Sequence, residues 1–338
     1  MAALWDTTGT EVVRELAAAR RSDGVTSGLV LTLVAVVDEQ PGQTTPVKAV
    51  EDAATVAAAA HPCRLLVVTR SPAHEAPDRL DAEVVVGGRL GPCEAVIMRM
   101  QGRLALHAES VVMPLLAPDV PVVAWWHGPP PPQLGTDPLG VVAERRITDC
   151  AQADDPVAAL RQRAVDYHAG DTDLSWTRLT GWRTLVAGAF DQVDEGTVVQ
   201  RASVAAPAND ASGALLAGWL AARLGITPEL TDPGTGRVES VRLGLANGDE
   251  ITIVREGSSA RLHQPGQEDR VMPLLERTLG EELAEELRRL DADQTYAAAL
   301  SAATGVSGLE RRPATRVHTW VDPAEVAVGT VGHHEVMM

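Results

Sequence analysis

Residues 29–37 are almost wholly apolar and rich in β-branched side chains, the pattern of a strand covered on both faces. The alanine-rich stretch 47–60 is predicted as a helix, stopped by His61-Pro62. Apolar runs recur at 64–69, 83–86, 94–100 and 120–126, each of strand length, and 102–116 carries Leu104, Ala108, Val111, Val112 and Leu115 on one helical face. Pro118 ends that helix. Strands alternating with helices predict an α/β domain with a Rossmann-like, mostly parallel sheet. Beyond it, Asp155-Pro156 supplies an N-cap and a first-turn proline for a helix over 156–167, and Trp182, Leu185, Val186 and Phe190 mark another over 180–191.

The acidic, glycine-bearing stretch 191–196 is the expected boundary, dividing the chain into domains 1–195 and 196–338. After it the rhythm changes. A strand over 198–205 and a helix over 212–224, closed by Gly225, precede three strands near 238–246, 250–255 and 260–263. Asn247-Gly248 joins the first two by a primed hairpin turn. After Pro273, Leu275, Leu279, Leu283 and Leu287 stand four apart and predict one helix with a continuous apolar stripe. This half reads as a smaller α+β domain with a polar carboxyl-terminal tail around one candidate strand, 316–321.

Composition narrows the chemistry. A length of 338 residues suits two domains, and 45% apolar with 22% charged residues suits a globular protein. With 29 basic against 46 acidic side chains the net charge is −17, a field that repels a phosphate backbone and excludes nucleic acid as the main partner. Lys48 is the single lysine beside 28 arginines, and its setting, Val47-Lys48-Ala49, excludes a Walker phosphate loop, a pyridoxal Schiff base and a lysine nucleophile. The uncharged run 24–37 is too short to span a bilayer, so no membrane partner is expected. Met1 to Asp6 open without a secretory signal pattern, which makes the cytoplasm the expected compartment. There Cys63, Cys93 and Cys150, an odd number without a C-x-x-C pair, are expected as reduced thiols.

Searching for sites removes most catalytic classes. Gly87-Gly88-Arg89-Leu90-Gly91 follows a strand as a phosphate loop would, but Pro92 and another strand stand where the anion-facing helix should begin. Neither G-x-S-x-G nor H-E-x-x-H occurs. His61 with Cys63, and His333-His334-Glu335, offer too few ligands for zinc, so neither a metal nor a cofactor is expected. Asp154-Asp155 and Asp171/Asp173 precede helices and read as caps.

What stands out is the placing of the tryptophans in a chain with only 3% aromatic residues. Trp125-Trp126-His127 ends a predicted parallel strand, and Trp176 and Trp182 have Arg178 and Arg183 beside them. Core packing is the plain reading. Strand carboxyl ends present ligand and partner surfaces in α/β proteins, and Trp and Arg dominate interface energetics. Trp125, Trp126, His127, Trp176, Arg178, Trp182 and Arg183 are therefore candidates for partner binding, with at least one group expected to face outward.

At these segments the sequence resembles the OpcA-type glucose-6-phosphate dehydrogenase assembly proteins. The stretches that carry the resemblance are His61-Pro62-Cys63-Arg64, Gly87-Gly88-Arg89-Leu90-Gly91-Pro92, Gly102-Arg103-Leu104-Ala105-Leu106-His107-Ala108, and Pro114-Leu115-Leu116-Ala117-Pro118-Asp119-Val120-Pro121 running into Trp125-Trp126. Asp171-Thr172-Asp173-Leu174-Ser175-Trp176-Thr177-Arg178-Leu179 with Trp182-Arg183 completes the set. The resemblance implies a non-catalytic effector that binds glucose-6-phosphate dehydrogenase, promotes its active oligomer and activates it allosterically, at the entry to the oxidative pentose phosphate pathway. The alternative is an α/β enzyme or sensor for a sugar phosphate or nucleotide, with Arg64, Arg89 and Arg103 as anion ligands.

Overall fold

The computed structural model describes residues 1–23, 28–39, 47–72, 77–87, 94–190 and 197–312, with the backbone of 319–320 and 334–335. The fold is α/β and has two compact units, one formed by 1–148, 278–290 and 315–338, the other by 149–277 and 291–314.

In the first unit, β1 (Ala2–Leu4), β2 (Leu31–Asp38), β3 (Cys63–Ser71), β4 (Arg79–Val86), β5 (Glu94–Gln101), β6 (Val122–His127) and β7 (Arg145–Thr148) lie in the order β1-β4-β5-β3-β2-β6-β7. From β5 to β7 every neighbouring pair is parallel. Those five strands, numbered in chain order, run 3-2-1-4-5, a Rossmann-type order whose reversal lies between β2 and β6. Strand β4 runs antiparallel to β5 because the short connection 87–93 cannot make the crossover that parallel neighbours need.

Both faces of this sheet are covered, which is why β2 is buried from Leu31 through Val37. One face carries Val34, Val36, Leu66, Val68 and Met98, packed with Val12 and Leu16 of α1 (Gly9–Asp23) and Val111 and Val112 of α3 (Ala108–Val112). Helix α2 (Val47–Ala60) packs on β3. The expected single helix over 102–116 is instead 3-10 over Gly102–His107, α over Ala108–Val112 and 3-10 over Met113–Leu115. Gly102 at φ 70°, His107 outside helical geometry and Pro114 each interrupt regular hydrogen bonding. The short helix α4 is Pro138–Val141.

The second unit holds α5 (Pro156–Val165), the short strand β8 (Asp171–Asp173), α6 (Leu174–Thr177), α7 (Thr180–Ala189), β9 (Val199–Ala205), α8 (Ala211–Leu224), β10 (Glu229–Thr231), β11 (Ser240–Leu245), β12 (Glu250–Glu256), β13 (Ser259–His263) and β14 (Arg270–Pro273). Its mixed sheet has the order β10-β9-β11-β12-β13-β14, and Gly248, at φ 94°, turns β11 into β12. The expected division at 195/196 lies outside the described residues. Contacts gather 149–190 with the later strands because Leu160, Trp176, Trp182 and Leu185 share one core with Leu215, Leu216, Val241 and Ile253.

The stripe after Pro273 is broken. Thr278 caps α9 (Leu279–Leu287) through a capping box with Glu281, so Leu275 lies before the helix and is 72% exposed. Helix α9 belongs to the first unit and packs on α2, where a Cβ on Gly280 would stand 2.6 Å from Val56 Cβ. The chain then returns to the second unit as α10 (Gln294–Thr304), a helix that the sequence reading did not identify. Of the candidate strand 316–321, only Thr319–Trp320 is described, as strand.

Candidate functional site

The two tryptophan groups lie in different units. In the first, Trp125 and Trp126 point to opposite faces of β6, in register with Ala35 and Val36 of β2 at the strand-order reversal. Trp125 is fully buried and Trp126 is 1% exposed. His127 is half-buried and meets Trp125 edge-on, ring centroids 5.5 Å apart. Beside them, at the carboxyl ends of β2 and β3, the buried Arg70 guanidinium binds Asp38 at 2.6 and 2.8 Å and Asp137 at 3.2 and 2.9 Å. Burial alone would lower the Arg70 pKa, but the charges of Asp137 and Asp38 reverse this and hold it well above the ordinary arginine value. Asp137 also caps α4 through the N–H groups of Leu139 and Gly140.

The second group is built on a turn that buries its own polar atoms. Asp173 is fully buried and accepts the N–H groups of Cys150 and Ser175 at 2.9 and 3.0 Å, the latter capping α6. Trp176 and Trp182, each 1% exposed, join the core. Arg178 forms two bonds to buried Asp149 at 2.7 and 2.8 Å, and Arg183 stacks over Trp176. Burial and then Asp173 push up the Cys150 thiol, so it stays protonated; burial and Asp173 likewise raise the Tyr296 phenol.

The four indoles are therefore internal, because bulky aromatic surface is what each core needs to fill it. The group members that reach solvent in part are His127, Arg178 and Arg183. Asp155 caps α5 through Ala158 N–H at 2.9 Å, and Asp171 accepts His168 N–H at 2.7 Å. Arg64 is held by Glu94 at 2.9 Å and by the Leu115 carbonyl at 2.7 Å. Cys63 is buried in β3, and His61 Nε2 faces the Ala284 carbonyl at 2.9 Å. Among the described residues no three His, Cys, Asp or Glu converge on a metal position. Arg89 with most of its glycine stretch, Cys93 and His333 lie outside the described residues. The Arg70 cluster escaped the sequence reading because Asp38, Arg70 and Asp137 share no local spacing; only the fold brings them together.

Fold and site together define a two-unit α/β protein whose candidate residues are joined in ion pairs, caps and stacked rings. Residues 54–165 match the family profile described as the glucose-6-phosphate dehydrogenase subunit N-terminal domain, OpcA_G6PD_assem, and 169–300 match the corresponding C-terminal domain, OpcA_G6PD_C. The chain belongs to the OpcA family. A relative from Synechococcus elongatus named as an OxPP cycle protein OpcA is 32% identical over 188 residues, 51% of this chain and 42% of the relative. One of the same name from Synechocystis sp. is 28% identical over 225 residues, 62% of this chain and 47% of the relative. The chain thus spans less than half the length of these curated relatives. A solved NAD binding oxidoreductase from Klebsiella pneumoniae superposes with a TM-score of 0.40 at 10% identity, over 91% of this chain and 100% of that one, a likeness too loose to argue from. No helix among the described residues is long and apolar enough to cross a membrane.

Proposed function

We propose that this chain is a cytoplasmic, non-catalytic partner of glucose-6-phosphate dehydrogenase that binds the enzyme, favours its active oligomer and so activates it. The observation that supports this most directly is the match of two consecutive stretches, 54–165 and 169–300, to the two domains described for a subunit of that dehydrogenase. The site chemistry agrees with it: Arg70, Arg178 and Asp173 are each held by neighbouring groups of this chain. In this reading His127, Arg178 and Arg183 supply contact groups, and Trp125, Trp126, Trp176 and Trp182 set their positions from below. A protein that binds an assembled enzyme but not its separated subunits shifts assembly by mass action. Mass photometry of the dehydrogenase, diluted until it dissociates, should show larger species when this chain is added. An unchanged mass distribution at saturating concentration would refute the proposal.

A further inference from the structure

Strand β6 ends at His127, paired with Val37 of β2, and Pro129-Pro130-Pro131-Pro132 follow almost at once. Proline fixes its own φ at about −65° and keeps the residue before it out of the helical region. Because Pro129, Pro130 and Pro131 each precede another proline, the run is held as a polyproline II turn, which repeats about every three residues. Its exposure follows that period. Pro129 and Pro132, one turn apart, are exposed, and Pro130 and Pro131 between them are half-buried. The two outer rings therefore make one edge that faces solvent.

Both ends of the run are fixed. On one side the β6 ladder holds His127; on the other, Leu134 is 2% exposed in the core of the first unit, and Asp137 accepts from Arg70 at 2.9 Å. Gly128, at φ 96°, makes the turn out of the strand. A ridge anchored in this way has already lost its conformational freedom, so a partner that binds it loses little entropy by ordering it.

The chemistry of the ridge selects its occupant. Four successive positions lack an N–H, which excludes pairing with a partner's β-strand. From Gly128 to Thr136 there is no charged side chain, so the ridge offers no ion pair to an acidic or a basic surface. What it does present is a pair of pyrrolidine rings one turn apart, the feature that aromatic-lined grooves take up in proline recognition.

We propose that Pro129 and Pro132 form a docking ridge for a groove lined by tryptophan or tyrosine side chains on the partner protein. The proposal rests on the reading that this chain binds glucose-6-phosphate dehydrogenase, and it names the surface used and the chemistry of the surface that receives it. Its test uses the full chain and the variant Pro129→Ala with Pro132→Ala. Alanine keeps the backbone accessible to both positions and removes the two exposed rings. Each protein is titrated with the dehydrogenase and, separately, with an isolated WW domain selected for binding proline runs, whose groove is aromatic. The WW domain is also added to the complex of wild-type chain and dehydrogenase, a measurement that needs no variant.

The variant should melt close to the wild type and bind the dehydrogenase about tenfold more weakly or worse. The WW domain should bind the wild type, ignore the variant and displace the dehydrogenase from the wild-type chain. A variant that binds the dehydrogenase as tightly as the wild type, a WW domain that does not bind the wild-type chain, or a complex that the bound WW domain leaves intact overturns the ridge as the docking surface. A wild-type chain that ignores the dehydrogenase while the WW domain still separates wild type from variant overturns the functional reading and leaves the ridge standing as a site for an aromatic groove.

Discussion

Arg183 lies over the indole of Trp176, its guanidinium carbon 3.7 Å from the ring centroid. Through Nε1 the same indole donates to Asp293 at 2.8 Å, and Asp293 caps α10 by accepting the N–H groups of Thr295 and Tyr296. A short turn in the middle of the chain therefore fixes both the cation above it and the start of a helix that arrives more than a hundred residues later.

That relationship predicts an order of effects. Asp293→Asn keeps Oδ1 on the N–H groups of Thr295 and Tyr296 and replaces Oδ2, the indole's acceptor, by an NH2 group, which should cost about 1–2 kcal/mol of stability. Asp293→Ala removes the cap as well and leaves the indole N–H buried without an acceptor, which should cost about 2–3 kcal/mol. Urea unfolding of the two variants measures the difference, and equal losses would mean that the cap contributes nothing.

Asp137→Ala tests the Arg70 cluster. Arg70 and Asp137 are both about nine-tenths buried in their side chains, so removing one partner leaves charge stranded and should destabilise by about 3–5 kcal/mol. Asp38 is more exposed, at 41%, and Asp38→Asn should cost less than half as much. A loss at Asp137 no larger than at Asp38 would contradict this ranking.

Much of the first unit was legible because parallel strands covered on both faces write themselves as apolar runs, as in 31–37 and 63–68. The caps at Asp155 and Asp173 were legible because capping is local. The core division was not: 156–189 reads as helices in either unit, and only the shared packing of Trp176 and Trp182 with Leu215 and Val241 assigns it. Leu275 was misassigned because leucines four apart imitate a helix even where Thr278 starts it one step later. The tryptophans stand out by their scarcity, but sequence carries no sign of which way an indole faces when it stands between apolar and charged neighbours, and Trp125, Trp126, Trp176 and Trp182 all turn inward.

Glu51 on α2 gives a pH-dependent expectation. Burial first, then the Glu83 charge, raise its pKa above the ordinary value of 4.5. A carboxyl whose folded pKa exceeds its unfolded one opposes folding when ionised, so the penalty is full above the folded pKa and disappears below the unfolded one. Glu51→Gln should therefore raise the unfolding free energy measured in urea at pH 7, by less than about 1 kcal/mol because the site is partly open to solvent, with the gain shrinking as pH falls toward 4.5. A gain that grows on acidification would show the opposite shift.

The buried thiols should be slow. Cys63 and Cys150 are buried and not joined in a disulfide, and the raised Cys150 pKa keeps its reactive thiolate scarce. A thiol reagent should find three groups in denatured protein prepared without reductant, and should modify Cys150 in native protein at a rate limited by opening. Because its folded pKa lies above its unfolded value, Cys150 contributes stability that is lost as pH rises through the alkaline range. Fewer than three thiols in freshly denatured protein would revive a disulfide.

The contact role proposed for His127, Arg178 and Arg183 separates from the packing role of the indoles by what each substitution loses. Trp126→Ala and Trp182→Ala excavate cores and should cost about 3–5 kcal/mol of folding stability. Arg178→Ala is a poor probe, since it strands the buried Asp149 carboxylate; Arg178→Lys keeps the charge while removing the paired geometry seen at 2.7 and 2.8 Å. Arg183→Ala and His127→Ala remove half-buried side chains and should weaken dehydrogenase binding about tenfold or more if these groups touch the partner. Melting temperature and calorimetric titration on each variant give both quantities. If Arg183→Ala, His127→Ala and Arg178→Lys all bind with wild-type affinity, these residues serve the scaffold alone, and the partner engages another surface of the chain.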